Sequence, residues 1–403
     1  MRRQRIPKAR KQMKITGISS IVVNAKMRNW VFVRVDTSVP GLYGWGEATL
    51  NWKTRAVTGA IEDLAQLMIG TDPRDIEQAV RRMNKHSYYR LGIIGASAIS
   101  GIEHALWDIS AKELGVPVWR LLGGKVRERV DLYSHPGLGE MKTLYEDTFD
   151  PSKLVEASQK VLEKGFRAVK VVCIPYSHAT TTRAACRNLE RLGIALREGL
   201  GDDAAIMVDF HGRAATVSAT LEYIKALEPM GPMFVEEPVQ PGDTKAMREI
   251  VERSPVPIAT GERLVGLREF EELLSARACH IVQPDLNHCG GLLEAKKVAT
   301  LAELAQAGVA PHNPNGPLAA MASLHYGIST PNFVILEAMP GAVPWYHDVV
   351  EGLPEMIDGR WSAPDKPGFG IEVNEKEAAK HPFQQEVLHT QTAVLDDGTL
   401  VDW

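Results

Sequence analysis

Lys170, Asp209, Glu236, Glu262, Asp285, His312 and Glu337 follow one another at intervals of 39, 27, 26, 23, 27 and 25 residues. Each lies within or at the end of a short apolar run, as in "AVKVVCI", "AAIMVDF", "MFVEEP", "PIATGE", "HIVQPD", "VAPHN" and "NFVILE". After the first interval, the step is one strand plus one helix. A single acid after a strand is often just a helix cap. Seven ionisable groups in one register instead describe side chains facing the same end of a sheet. Asp209, Glu236 and Glu262 come from three consecutive strands, and three converging carboxylates repel one another. A hard divalent cation relieves that repulsion, and an oxygen-only donor set suits Mg2+. In "VEEP", strand alternation sends one glutamate inward; Glu236, 26 residues before Glu262, keeps the repeat and leaves Glu237 for a salt bridge or supporting contact. In "VDFHGR", Asp209 and His211 are two apart, so on an extended strand they share a face.

The elements that must position these groups can be read from periodicity. Residues 13–50 alternate or run apolar and contain turn signals, which predicts β structure. Residues 55–123 show apolar spacing near 3.6, with Gly70 and Gly115 as stops, which predicts helices. From about residue 131 strand and helix patterns alternate, eight strands with seven helices between them. Alternation implies a parallel sheet, and eight units suggest a closed barrel with its site at the carboxyl ends of the strands. The expected fold is α/β: an N-terminal α+β capping domain over 13–130, a (β/α)7β TIM-like barrel over 131–345, and a segment over 346–403 packing back toward the cap. Residues 1–12, "MRRQRIPKARKQ", read as a basic disordered tail without the apolar stretch of a secretory signal.

A net charge of −4 with acids and bases interspersed argues against a nucleic-acid surface. No apolar run reaches the roughly 18–20 residues of a membrane span. The four cysteines, Cys173, Cys186, Cys279 and Cys289, form no C-x-x-C pair and fit a reducing cytoplasm. "YGWGEA" is a broken G-x-G-x-x-G, and "LGGKV" lacks the other residues of a phosphate loop.

A capping domain, a barrel and Asp, Glu, Glu on strands three to five resemble the enolase superfamily. "QPD" at 283–285, "PHN" at 311–313 and "LE" at 336–337 place the likeness near the mandelate racemase subgroup. "VDFHGR", "FVEEPV" and "GER" are similar to the galactonate dehydratases within it. The resemblance implies Mg2+ on Asp209, Glu236 and Glu262, and removal of the proton α to a substrate carboxylate. It implies His312 as the base, oriented by Asp285; Lys170 as added positive charge; and Glu337 as a protonated or proton-sharing carboxyl. His211 would be the general acid for a leaving β-hydroxyl, or else a ligand or hydrogen-bond partner at Asp209. Where racemase relatives carry Lys-x-Lys, this chain has Lys170, Val171, Val172, so the second base is missing.

The implied activity is a sugar-acid (aldonate) dehydratase giving a 2-keto-3-deoxy acid. The alternatives are a dehydratase of gluconate, a pentonate or mannonate, a one-base epimerase or racemase, and a non-catalytic metal-binding regulatory protein. The expected partners are a small-molecule sugar acid and further copies of the chain. Residues 24–33 and 48–52 are expected to form a lid, and the loop after the first barrel strand to line the pocket. Tyr176 and His178 are expected either to touch substrate or to cover the rim.

Overall fold

The computed structural model describes residues 13–90, 92–145, 147–386 and 393–402; the predicted tail at 1–12 lies outside the described residues. The chain opens with three antiparallel strands in sequential order, β1 (Ile15–Ala25), β2 (Arg28–Thr37) and β3 (Tyr43–Glu47). Helices α1 (Thr54–Met68), α2 (Ile76–His86) and α3 (Gly92–Leu114) follow. In α1 the buried residues Val57, Ala60, Ile61, Leu64 and Met68 recur at helical spacing, so one face meets the core. α3 differs, being buried on nearly every side from Gly95 to Ala111. It lies against β3 on one side and touches the barrel on the other.

After a short α4 (Val118–Leu121), the barrel begins with β4 (Arg129–Tyr133), then α5 (Met141–Tyr145) and α6 (Pro151–Glu163). Next come β5 (Ala168–Val171), α7 (Arg183–Leu200), β6 (Ala205–Asp209), α8 (Val217–Leu227), β7 (Phe234–Glu236) and α9 (Thr244–Arg253). The series ends with β8 (Ile258–Thr260), α10 (Gly266–Ser275), β9 (Ile281–Val282), α11 (Leu292–Leu304), β10 (Gly308–Val309), α12 (Pro317–Ser329) and β11 (Leu336–Glu337). Strands β5 to β10 pair in sequential order and in parallel. The ring closes through the parallel pair Leu336 with Leu132 and the bridges Ser134 with Val169 and Val309 with Phe333. Among the described residues this is the predicted eight-stranded barrel.

One residue per strand fills its interior: Tyr133, Ala168, Met207, Phe234, Ala259, Ile281, Ala310 and Ile335 form a separate buried cluster. Side chains two residues further on point the same way. That next layer holds His135, Lys170, Asp209, Glu236, Gly261, Gln283, His312 and Glu337. Six of the eight are ionisable, and they stand at the carboxyl ends of their strands. On β8 and β9 the layer holds Gly261 and Gln283, so Glu262 and Asp285 reach the mouth from the loops just beyond.

The helices around the barrel start differently, and α10 begins at Val265, whose N–H donates to Glu269 Oε2 at 2.7 Å. Asp150, Thr182, Thr216 and Asp243 cap α6, α7, α8 and α9 with their own side chains. α11 and α12 start at Gly291 and Gly316, which have no side chain to offer. Downstream, residues 346–386 run back to the first domain: Tyr43 Oη and Trp45 Nε1 donate to Glu372 Oε1 at 2.8 and 2.7 Å, and Asn29 N donates to Glu386 Oε1 at 3.2 Å.

Candidate active site

Five of the seven strand-end groups, Lys170, Asp209, Glu262, His312 and Glu337, line one cavity of about 300 Å3 with His211, and Glu236 and Asp285 meet them through Lys170 and His312. Asp209, Glu236 and Glu262 each offer an oxygen, and these three atoms lie within 4.8 Å of one another. The set fits a hard cation: every donor is a carboxylate, and Glu262 Oε2 is buried without a hydrogen-bond partner in good geometry. Glu237 turns away from this cluster. Its carboxylate accepts from Thr260 Oγ1, from Gly261 N at 3.0 Å and from Arg263 Nε at 2.7 Å, which is the predicted supporting contact.

Lys170 Nζ lies 2.7 Å from both oxygens of Glu236, 3.3 Å from Glu337 Oε1 and 3.5 Å from Asp209 Oδ2. Burial alone would lower its pKa, but Glu236, Glu337, Tyr133 and Asp209 hold it well above the ordinary lysine value. It is therefore a fixed cation.

His211 Nε2 is 3.1 Å from Asp209 Oδ2, so the two groups meet as expected. The reason is a turn rather than a pleat. β6 ends at Asp209, and His211 is left-handed with φ +52. Its backbone N–H donates to Asp209 Oδ1 at 3.0 Å, folding the imidazole back over the carboxylate. Four strands away, and so across the ring, His312 Nδ1 is 2.8 Å from Asp285 Oδ2. Asp285 is also held by Asn315 Nδ2 at 2.9 Å and by Asn287 N at 2.7 Å. His312 Nε2 lies 3.2 Å from Glu262 Oε2. Burial opposes a charge on His312, yet Glu262, Asp285 and Glu337 push its pKa up to about 10. The His211 and His312 side chains are 20% and 16% exposed, so both can reach a solute in the cavity.

Glu337 stands between Lys170 and His135. Burial would raise its pKa, but Lys170, the hydrogen bond from His135 Nε2 and the charge of His312 hold it below the ordinary carboxylate range. It accepts from His135 Nε2 and, at 2.7 Å, from Asn313 N. His135 is a site residue that sequence reasoning missed. The signal was there: His135 is two residues beyond the inward-facing Tyr133.

The cap contributes Met27, Arg28, Leu50, Asn51, Trp52 and Lys53 to the cavity wall, from the two expected lid segments and the residue after them. Tyr145, at the end of α5 in the segment after β4, also lines it, as does Val172 in the second-base position. Tyr176 and His178 do not line the central cavity. Tyr176 lies 4.9 Å from the Arg213 guanidinium, and His178 Nε2 lies 3.3 Å from Asp397 at the rim.

The family model for the mandelate racemase / muconate lactonizing enzyme N-terminal domain matches residues 9–123, and that for the enolase C-terminal domain-like fold matches residues 153–377. A D-galactonate dehydratase of Variovorax paradoxus is 35% identical over 97% of this chain and 100% of its own length. One from Pectobacterium atrosepticum is 32% identical over the same shares. Among solved structures, an enolase from Pantoea ananatis with bound D-gluconate and Mg superposes with a TM-score of 0.81, at 30% identity over 97% of each chain. A mandelate racemase/muconate lactonizing enzyme-like protein from Roseovarius sp. superposes with a TM-score of 0.86, at 31% identity over 93% of this chain and 97% of its own. With both family models matched in sequence and the acids, lysine and histidines gathered at one barrel mouth, the chain belongs to the mandelate racemase subgroup of the enolase superfamily.

Proposed function

We propose that this enzyme is a hydro-lyase acting on a sugar acid of the aldonate type. It removes the proton α to the carboxylate and expels the β-hydroxyl, giving a 2-keto-3-deoxy acid. The observation that carries this reading is the pair of carboxylate-backed histidines, His211 and His312, on opposite sides of one cavity above three acids. The galactonate dehydratase relatives and the gluconate-bound neighbour support the substrate class.

Mg2+ held by Asp209, Glu236 and Glu262 would supply positive charge beside the substrate carboxylate. Asp285 takes the Nδ1–H of His312, and a cation on Glu262 would offset the largest of the charges that hold His312 protonated, which would free Nε2 to accept the proton. Lys170 adds fixed positive charge where negative charge develops. Glu337 and the His135 N–H beside it form a hydrogen-bonding edge for the reacting carboxylate. His211, paired with Asp209, protonates the departing hydroxyl from the opposite side, so the elimination is anti. Val172 cannot accept a proton, which argues against two-base racemisation.

Among the described residues, no helix is long and apolar enough to cross a membrane. The free, mostly buried cysteines support a cytoplasmic location, and the family reading supports assembly of several copies.

The test is a screen of purified protein with Mg2+ against a library of aldonic and aldaric acids, read by keto-acid formation. Proton NMR in D2O separates elimination from epimerisation, which only exchanges the α-proton. No keto acid from any member would overturn the proposal.

A further inference from the structure

We infer that Glu47 and Glu103 of the first domain are positioning residues, which complete the N-termini of α12 and α11 and thereby hold His312 and Asp285 in place. The inference rests on reading that pair as the proton-accepting machinery.

Both carboxylates are fully buried, and in sequence they lie far from the helix starts they touch. Glu47, at the end of β3, accepts from Gly316 N at 2.7 Å and from Ala319 N at 2.8 Å. Glu103, in the middle of α3, accepts from Leu292 N at 3.0 Å and from Leu293 N at 2.9 Å. These are N–H groups that a helix leaves unpaired in its first turn, and a carboxylate there also meets the positive end of the helix dipole.

The two glycines make room for the visiting carboxylates. A Cβ on Gly316 would stand 2.7 Å from Glu47 Oε1, and one on Gly291 would collide with Glu103 Oε2. A capping side chain of α11 or α12's own would thus displace the carboxylate from the first domain.

The caps connect directly to the chemistry. Gly316 is preceded by Asn315, whose Nδ2 holds Asp285 Oδ2 at 2.9 Å, and His312 lies in the same short loop. The turn from Asp285 to Leu293 is seized by α3 at further points. Ser97 Oγ meets His288 Nδ1 at 2.9 Å, and Gly290 N donates to Ser100 Oγ at 3.2 Å. Within the turn, Cys289 N donates to the Asp285 carbonyl at 2.7 Å. Trp107 Nε1, 2.6 Å from Glu103 Oε1, and Thr49 Oγ1, 2.6 Å from Glu47 Oε1, fix the carboxylates themselves.

Glu103→Gln and Glu47→Gln keep the shape but turn one acceptor into a donor facing an N–H. With 15N-labelled histidine, the His312 imidazole resonance, assigned by its loss in His312→Asn, should move in both variants. It should stay put in Asp243→Ala, which removes the self-supplied cap of α9. Ser100→Ala, which deletes one contact of the same turn, provides a milder variant that should move the resonance in the same direction if either glutamine variant fails to fold. On a turned-over substrate, kcat should fall roughly 10- to 100-fold at little-changed KM, the scale of a misplaced catalytic group, while Mg2+ affinity by calorimetry holds. A wild-type His312 signal in folded Glu47 and Glu103 variants, or in Ser100→Ala where those do not fold, overturns the inference. A moved signal in an enzyme that dehydrates no sugar acid would sink the functional proposal and leave this inference standing.

Discussion

The two sides of the barrel are built by different means. From β5 to β7, each strand carries a cation or an acid of the proposed Mg2+ site, and the following helix is capped by its own Thr182, Thr216 or Asp243. From β9 to β10, the strands lead to Asp285 and His312, and the following helices are finished by Glu103 and Glu47 from the other domain. The Lys170, Asp209 and Glu236 side of the proposed Mg2+ site is thus completed by nearby sequence. The side proposed to accept the proton is completed by the first domain, and that domain also covers the cavity.

The largest expected effect separates the two sides outright. His312→Asn should lower kcat about 1,000-fold, within the range for a general base, yet leave Mg2+ binding by calorimetry near wild type. Glu236→Gln should abolish Mg2+ binding and, with it, turnover. If His312→Asn loses Mg2+ binding as well, the division between sides is wrong.

The next effect concerns pH. Burial, reinforced by Asp285 near Glu47 and by Glu294 near Glu103, raises both carboxyls from 4.5 to about 7, although their N–H donors pull the other way. Each therefore binds its proton more tightly folded than unfolded. The stability this confers is present below the unfolded value and is lost as pH rises from about 4.5 to 7, by about 3 kcal/mol for each group. Denaturant titrations across that window should show a shallower pH slope for Glu103→Gln than for wild type. Asp243→Ala should leave the slope unchanged.

Asp285→Asn should cost roughly 100-fold in kcat, because the asparagine no longer fixes the His312 tautomer. Smallest of all, Asp243→Ala should cost about 1 kcal/mol of stability by chemical denaturation and leave kcat intact. A kcat loss there as large as in Glu103→Gln would erase the contrast between helices capped locally and helices capped from afar.

Much of this was legible before any coordinates. Period-two alternation on short apolar strands places Lys170, Asp209, Glu236, His312 and Glu337 in one layer, and the helix length between strands keeps them in register. His135 escaped because 35 residues separate it from Lys170, the strand before it ends in a long loop, and the site series was begun one strand too late. The nearness of His211 to Asp209 was foreseen from the wrong geometry, since a left-handed turn cannot be told from a continuing strand by two residues of spacing. Glu47 and Glu103 have no local signature at all. One ends a strand that looks like a failed nucleotide motif, and the other sits in an apolar helix. Their only trace is negative: Gly291 and Gly316 stand where α11 and α12 need a capping side chain.

Met27, Arg28, Leu50, Asn51, Trp52 and Lys53 share a domain with Glu47 and Glu103. Cavity-wall residues and the proposed supports of His312 and Asp285 are therefore inherited as one block. A chimaera that borrows another relative's first domain to change substrate preference also imports foreign buttresses for α11 and α12. Grafting only the wall residues Met27, Arg28 and 50–53 onto this chain would avoid that. It is the more conservative route to redesign, because Glu47 and the Thr49 that holds it stay native.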